Sequence, residues 1–229
     1  MARLPRMVLP GIPHHVTQRG NRRERTFFEP GDYALYLDLL ASACTQHGTQ
    51  IWSYCLMPNH VHIIAVPRDE DGLARTFRYV HRHYTGYINA RMRVTGHLWQ
   101  GRFSSVAMDE AHLYTALRYV ALNPVRAKLV SKADDWQWSS VRAHFAGTDD
   151  HVVRVAPALE RVGDFKSFLG EEFDEAFAYA ALRKAETLGR PVGSEQWLAD
   201  MEAQSGLQIV PRKRGPKPKN NTGISHLSP

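Results

Sequence analysis

Cysteine is scarce in this sequence, and long apolar runs are missing. The two cysteines, Cys44 and Cys55, are eleven positions apart and lie outside any closely spaced metal-binding motif, so neither a disulfide scaffold nor a thiolate metal site is predicted. No apolar run approaches the roughly 18 residues that a membrane-spanning helix needs. The first 13 residues hold two arginines and three prolines where a signal peptide would have an apolar core. We therefore expect a protein of the reducing cytoplasm, with no membrane contact.

What the chain does contain is the composition of an ordinary globular protein. Its 229 residues are 43% hydrophobic and 23% charged, which argues against wholesale disorder and coiled coils. The length suits one domain plus an appendage. A Gly-Thr-Asp-Asp linker at 147–150 predicts a domain boundary near residue 150. We therefore expect a first domain over 1–150, a helical region over 151–210, and a basic, disordered tail over 211–229.

Acidic residues are absent from residues 73–108, which hold six arginines. Residues 1–25 hold six arginines against one glutamate, and residues 211–219 hold five lysines and arginines without an acid. Since the formal net charge is only +6, the rest of the chain is acidic. The planar guanidinium group fits phosphate, so this distribution favours a polyanion such as nucleic acid as the partner. The alternative is that these arginines only solvate helix surfaces.

The hydrophobic periodicity predicts an α+β fold, a small antiparallel sheet with helices packed on it. The predicted strands are 14–20, 51–57, 60–67 and 103–109; the predicted helices start near Glu29 and end at Gly48, cover 70–93, and run from 110 to Pro124. A turn at Pro58-Asn59 joins two of these strands into a hairpin. Pro124 is expected to stop the last helix, because proline disfavours helical geometry in the residue before it.

The motif His60-Val61-His62 is the first candidate site. On a strand, residues two apart point to the same face, so the two imidazoles could chelate one metal ion. The motif is weak alone, and His81-Arg82-His83 has the same spacing within a predicted helix, where such residues diverge by about 200°. We interpret that second pair as structural or phosphate-contacting. His14 and His15 point to opposite faces of a strand, so at most one of them could line a site.

The helix that starts at residue 110 carries a second candidate site. Tyr119 and Asn123 fall within about 40° of each other around the helix axis, whereas Tyr114 is about 180° from Asn123. The phenol and the amide could serve as a nucleophile and a metal ligand. Alternatively, Tyr119 packs at the edge of the core and Asn123 caps the helix before Pro124. Spacing alone favours this second interpretation.

The two sites belong to a longer series of segments: GIPHHVTQRGNRR (11–23), YCLMPNHVHIIAVP (54–67), LWQGRFSS (98–105), and RYVALNPVRAKLV (118–130) followed by DWQWSS (135–140). In this order, over about 130 residues, the series resembles the HUH single-tyrosine transposases, most closely the REP-associated tyrosine transposases of bacteria. A match of this extent is far more specific than one pair of histidines.

The resemblance implies a ferredoxin-like HUH endonuclease core, whose sheet presents His60 and His62 to a divalent cation, Mg²⁺ or Mn²⁺. It implies Tyr119 as the nucleophile, because the tyrosine of that family precedes Asn-Pro by three intervening residues. Asn123 stands where the family has an additional polar metal ligand. The implied activity is cleavage and rejoining of single-stranded, hairpin-containing DNA through a 5′-phosphotyrosine, with no cofactor besides the metal. A bacterial, nucleoid-associated location follows from the same resemblance.

The candidate DNA-contacting residues are all basic, and each of them could equally be an ordinary solvent-facing side chain. They are Arg19, Arg22 and Arg23 in the first turn, Arg75, Arg78 and Arg82 on the arginine-rich helix, Arg102, and Arg212, Lys213 and Arg214 in the tail. Three tryptophans, Trp99, Trp136 and Trp138, are expected to pack inside the protein and not to stack on bases.

Two other functions stay open at the level of the sequence. A domesticated relative could bind hairpin DNA without productive cleavage. A phosphodiesterase could use a metal-activated water, with Tyr119 in a structural role.

Overall fold

A four-stranded antiparallel sheet carries the helices of this protein. The computed structural model describes residues 6–174, 179, 180, 182, 184, 185 and 189–209. The strands are β1 (His14–Arg19), β2 (Thr49–Met57), β3 (His60–Pro67) and β4 (Ser104–Ala107). The helices are α1 (Pro30–His47), α2 (Gly72–Met92), α3 (Glu110–Arg126), α4 (Val141–Ala146), α5 (Ala156–Val162), α6 (Phe165–Gly170) and α7 (Glu195–Ser205). The predicted α+β fold is confirmed.

The strand order in the sheet is β2-β3-β1-β4, so β3 and β1 are the two central strands. Strands β2 and β3 form the predicted hairpin around Pro58-Asn59. Strand β1 pairs with both β3 and β4. Because directly paired residues on antiparallel strands point to the same side, this register decides which side chains of β1 and β3 lie together.

Helices α1 and α2 cover one side of the sheet, here called the α1–α2 side. Its core contains Val16, Val61 and Ile63 from the sheet, with Phe77 and Tyr84 from α2. The three tryptophans of the sequence analysis are structural, as predicted: Trp99 is buried among the rings of this core, Trp138 stacks on Tyr33, and Trp136 donates to the carbonyl oxygen of Leu56.

Helices α3, α4, α5 and α6 cover the opposite side, here called the α3 side. Ile64 and Val106 from the sheet pack against Leu117 and Val120 from α3 and against Phe165 from α6. Two of the predicted site residues, His60 and His62, belong to this side, because they alternate along β3 with the residues of the other core.

Helix α1 begins and ends where the sequence predicts. A capping box of Glu29 and Asp32 starts it, and Gly48, which has a φ of +66°, ends it. Asp32 is buried and forms an ion pair with Arg91 near the end of α2, which fixes the two helices to each other. Burial acts to raise the pKa of Asp32, but hydrogen bonds from Arg91 and two backbone N–H groups outweigh it and hold the pKa below its usual value.

The prediction that Pro124 stops the third long helix is wrong, since α3 continues through Pro124 to Arg126. Pro124 lies in the last turn, where a missing N–H removes one hydrogen bond and leaves the rest of the helix intact. The backbone N–H of Leu129 donates to the Pro124 carbonyl oxygen, which satisfies one group of the helix end. Asn123 therefore keeps helical geometry, one turn beyond Tyr119.

Residues just beyond the expected domain boundary at 150 pack against the first 150 residues. Val152 and Val153 are buried in the core of the α1–α2 side, and Arg154 donates its backbone N–H to the carbonyl oxygen of Ile51 on β2. Helices α5 and α6 pack on the α3 side. The division at residue 150 stays a prediction.

Cys44 and Cys55 are both free thiols. Within the part of the chain that the structure describes, no helix combines the length and the apolar character needed to cross a membrane.

Candidate active site

The pairing of β1 with β3 brings three histidines together on the α3 side of the sheet. Thr17 pairs with His62 and His15 pairs with Ile64, so His15 points to the same side as His62. His15 is fully buried and His62 is 2% exposed. The adjacent His14 points to the other side, which agrees with the prediction that at most one of the two histidines lines a site.

His62 is the centre of this cluster. The His62 Nδ1 and His15 Nε2 atoms are 3.0 Å apart and share a hydrogen bond. The rings of His62 and His15 are stacked with their centroids 5.2 Å apart. The ring of His60 lies edge-on to that of His62, with centroids 4.9 Å apart. His60 itself, at the start of β3, shares a hydrogen bond of 2.6 Å between its Nδ1 atom and Asn59 Oδ1.

Tyr119 reaches the histidines from α3. The helix buries Leu113, Leu117 and Val120 against the sheet, which places Tyr119 on the flank that faces β3 and β1. Its ring lies edge-on to His62 with centroids 5.2 Å apart, and 5.9 Å from the ring of His15. The structure therefore brings together the predicted nucleophile and one of the predicted metal ligands.

Two further residues enclose the ring of Tyr119, which is only 8% exposed. The guanidinium group of Arg126, in the last turn of α3, lies 4.9 Å from the centre of the ring. Tyr179, from the chain beyond α6, packs edge-on at 4.9 Å, and Arg126 lies 4.4 Å from that second ring as well. Residues from two distant parts of the sequence thus cover the candidate nucleophile.

Asn123 lies one turn after Tyr119 on the same flank of α3 and is 8% exposed. Helical spacing puts its amide on the face that carries Tyr119. Arg118, the residue before Tyr119, points to the other flank, where its buried side chain donates to the carbonyl oxygens of Phe168, Leu169 and Glu171. This arginine fastens the candidate catalytic helix to the C-terminal end of α6.

Both predicted metal-binding histidines are held in the neutral form. Burial, reinforced by the positive charge of Arg19, lowers the pKa of His60 to about 3. Burial, together with the neighbouring His15 and His60, lowers the pKa of His62 well below its usual value. Neutral imidazole is the form that binds a cation.

The donor atoms at this site fit a divalent cation. The Nε2 atom of His62 is buried without a hydrogen-bond partner among the described residues, although buried polar atoms are ordinarily satisfied. Within the described part of the chain, no group of three or more His, Cys, Asp or Glu side chains could hold a metal ion. A third protein ligand besides His60 and His62 would therefore be of another kind, and the predicted one, the amide of Asn123, is of such a kind. This predicted set would leave open positions for substrate and water.

Some of the predicted basic residues surround the end of the sheet at which His60 lies. Arg19 ends β1 opposite His60, and the exposed Arg22 and Arg23 follow in a short 3-10 turn. A Cβ atom at Gly20 would collide with the backbone carbonyl oxygen of Glu24, so this tight turn needs glycine. Arg102 is exposed in a segment that runs beside Arg19. The backbone N–H of Gln100, in this segment, donates to the carbonyl oxygen of Arg19.

The other predicted basic residues are not brought to the histidines. Arg75, Arg78 and Arg82 belong to α2, on the α1–α2 side of the sheet. Arg75 is also neutralised, since it forms ion pairs with Asp69 and Asp71. The three predicted tail contacts, Arg212, Lys213 and Arg214, lie outside the described residues.

Sequence reasoning missed four residues of this region: His15, Arg118, Arg126 and Tyr179. The alternation of β1 left open which of its two histidines faces the site, and only the register with β3 selects His15. Arg118 and Arg126 lie within a segment that carried the resemblance, but nothing in the sequence indicated their partners. The contact of Tyr179 with Tyr119 joins residues 60 positions apart in the chain, which no local pattern reveals.

Comparison with known proteins points to one family. Residues 10–123 match the profile of the family described as "Transposase IS200 like". The fold is similar to that of a REP-associated tyrosine transposase bound to a REP hairpin, with a TM-score of 0.56 and 22% identity over 68% of this chain and 93% of that chain. A proposed transposase from Deinococcus radiodurans R1 is similar with a TM-score of 0.37 and 17% identity, over 52% of this chain and 95% of that chain. Among proteins with curated functions, none matches this sequence.

The matched residues 10–123 include the predicted nucleophile and the predicted metal ligands, Tyr119, His60, His62 and Asn123, as well as His15. Transposases of this kind generally use a divalent metal, which agrees with the donor atoms described above. The chain therefore belongs to the IS200-like transposases, a family of DNA-cleaving enzymes.

Proposed function

We propose that this protein is a metal-dependent endonuclease and strand transferase for single-stranded, hairpin-containing DNA of the REP type, and that Tyr119 is its nucleophile. The observation that carries the proposal is the contact between the ring of Tyr119 and that of His62, 5.2 Å apart, on the side of the sheet that also presents His60. The fold relative bound to a REP hairpin supports the choice of substrate.

The reaction follows from the nature of the nucleophile. The phenolic oxygen of Tyr119 attacks a backbone phosphorus and loses its proton, while the bond from phosphorus to the 3′ oxygen breaks and that oxygen takes up a proton. The products are a 5′-phosphotyrosine on the protein and a free 3′-OH on the DNA. One phosphodiester replaces another, so rejoining needs no ATP.

Holding the phosphate is the task of the other side chains. His60, His62 and Asn123 would bind Mg²⁺ or Mn²⁺, which when bound neutralises the charge that develops on the non-bridging phosphate oxygens. Arg19, Arg22, Arg23 and Arg102 would contact the DNA backbone at the adjoining end of the sheet. A flexible single strand can bring its phosphate to a nucleophile beside a sheet more easily than a duplex can.

A second candidate function is favoured by the burial of Tyr119. With Tyr179 and Arg126 packed on it, the ring is 8% exposed in this conformation. A protein that keeps this arrangement in the presence of DNA would bind hairpins through its basic end without cleaving them.

One experiment separates these functions. Wild type and Tyr119→Phe are incubated with 5′- and 3′-labelled single-stranded hairpin oligonucleotides and Mn²⁺ or Mg²⁺, and the products are run on denaturing gels. The matched control is Tyr114→Phe, because Tyr114 lies on the same helix but its hydroxyl donates to the Arg161 carbonyl oxygen, away from the histidines.

A protein-linked DNA band that is lost only in Tyr119→Phe supports the proposal. Binding without a covalent band favours the second candidate. Cleavage that survives Tyr119→Phe contradicts the proposal and indicates a phosphodiesterase that uses water.

A further inference from the structure

Asn59 determines which nitrogen of His60 carries the proton. The Asn59 Nδ2 group donates to the carbonyl oxygen of Arg23 at 2.8 Å, which assigns the orientation of the amide. Its Oδ1 atom therefore faces His60 Nδ1 at 2.6 Å, and a carbonyl oxygen can only accept. His60 must donate from Nδ1, so its Nε2 atom keeps a lone pair.

His15 is the hydrogen-bond partner of His62 Nδ1, as Asn59 is of His60 Nδ1, but here the shared proton can belong to either ring. The hydrogen bond joins His15 Nε2 to His62 Nδ1 over 3.0 Å, and a single proton lies between the two nitrogens. If His15 supplies that proton, neutral His62 carries its own proton on Nε2. If His62 supplies it, the Nε2 atom of His62 keeps a lone pair and His15 carries its own proton on Nδ1.

Burial alone does not choose between the two arrangements, because the outer nitrogens of both rings, His15 Nδ1 and His62 Nε2, are buried. A cation would choose, since it can bind the Nε2 lone pair of His62 only if the proton of that ring is on Nδ1. The proposed metal site therefore requires the second arrangement, with the proton of His62 facing His15.

We propose that Asn59 and His15 are positioning residues, which hold the protons of His60 and His62 on Nδ1 and so leave both Nε2 lone pairs available to a divalent cation. The inference rests on the proposed function, because it assumes that these two histidines bind the metal. Hydrogen-bond partners of this kind fix the tautomer and the ring orientation of histidine ligands, and their removal weakens metal binding by about 10–100-fold.

The tautomers can be measured without metal or DNA. Two-bond ¹H–¹⁵N correlation spectra of the metal-free full-length protein distinguish Nδ1–H from Nε2–H imidazoles, and His60→Gln and His62→Gln assign the signals. We expect both rings to be Nδ1–H tautomers in the wild type. An Nε2–H signal from either ring overturns the proposal for that residue's partner.

Metal affinity tests whether the positioning matters. Mn²⁺ binding is measured by electron paramagnetic resonance for wild type, His15→Phe and His15→Gln. Phenylalanine fills the volume of His15 but cannot accept a proton, so we expect a 10–100-fold loss of affinity. Glutamine offers an acceptor oxygen and should restore the affinity to within a few fold. Equal affinities of His15→Phe and wild type would overturn the proposal.

A second pair of variants keeps the test decisive if His15→Phe does not fold, as judged by circular dichroism. Asn59 lies in a surface turn, where Asn59→Ala removes the acceptor for His60 and Asn59→Asp retains one. We expect Asn59→Ala to lose Mn²⁺ affinity by the same factor and Asn59→Asp to regain it; no difference between the two overturns the proposal.

His62→Ala separates this inference from the proposed function. If His62→Ala abolishes Mn²⁺ binding while His15→Phe and Asn59→Ala keep it, the positioning role alone is wrong. If the wild type binds no Mn²⁺, or His62→Ala binds it as well as wild type, the metal site of the proposed function fails, and the positioning role fails with it.

Discussion

His60-Val61-His62 and His81-Arg82-His83 have the same spacing in the sequence, but the first lies on strand β3 and the second on helix α2. On the strand the two rings are 4.9 Å apart and share the α3 side of the sheet. On the helix the two rings point in different directions. His81 packs against Trp99 and shares a hydrogen bond with the hydroxyl of Tyr36. His83, at the surface, donates from Nδ1 to the carbonyl oxygen of Tyr79.

The difference teaches that backbone geometry, and not spacing, makes a chelating pair. A period of two returns a side chain to the same face only on a strand. Burial lowers the pKa of His81 to about 3, much as it does for His60. A lowered pKa therefore does not distinguish the candidate site from a structural histidine; the convergence of several functional side chains does.

The largest expected effect separates the two pairs directly. We expect His62→Ala to reduce the rate of covalent complex formation by at least about 10³-fold, about 4 kcal/mol, since the metal would lose a ligand at the reacting phosphate. His81→Ala should leave that rate within a few fold, while it lowers the free energy of unfolding by roughly 2 kcal/mol through the loss of ring packing.

Single-turnover cleavage and urea unfolding measure the two quantities. Equal losses of rate in both variants would show that the comparison between strand and helix has no functional meaning.

A smaller effect, on the pH dependence of the unfolding free energy, is expected from His14, the neighbour of His15 that faces the other side of the sheet. His14 lies away from the site, buried between the backbone N–H of Leu9, which donates to Nε2, and the carbonyl oxygen of Ile12 at Nδ1. Burial lowers the pKa of His14 to about 4. The unfolded chain then binds the extra proton between pH 6.5 and about 4, so His14 destabilises the fold as the pH falls through this range, by up to about 3 kcal/mol.

Glutamine can donate to one of these groups and accept from the other. Compared with wild type, His14→Gln should therefore show a flatter fall of the unfolding free energy between pH 6.5 and 4. Parallel curves for the two proteins would contradict a buried, neutral His14.

Much of this arrangement follows from local patterns in the sequence. Alternation along residues 60–67 gave the strand that pairs His60 with His62, and helical spacing placed Tyr119 and Asn123 on one flank. The end of α3 was missed, because a proline in a last turn costs too little to stop the helix at Asn123. The partners of Tyr119 were missed because the register of β1 and the packing of Tyr179 are set by contacts between distant parts of the chain.

The smallest expected effect compares two groups of arginines. Arg22 and Arg23 lie at the end of the sheet where His60 is found, whereas Arg78 and Arg82 lie on the α1–α2 side. We expect the double variant Arg22→Gln, Arg23→Gln to weaken binding of a single-stranded hairpin about tenfold and to lower the salt dependence of log K by roughly 0.7 per lost phosphate contact.

The matched double variant Arg78→Gln, Arg82→Gln removes the same charge from the other side and should change affinity less than about threefold. Fluorescence anisotropy over a series of salt concentrations measures both. Equal weakening by the two double variants would mean that the DNA also follows α2.

The central claim is that a hydroxyl of this chain becomes esterified to DNA beside the paired histidines. Trypsin releases residues 119–126, YVALNPVR, as a peptide with a single tyrosine. After reaction with hairpin DNA and Mn²⁺, nuclease digestion and mass spectrometry should find this peptide with a nucleotide attached to Tyr119. Cleaved DNA with no adduct, or an adduct on any other peptide, would contradict the account.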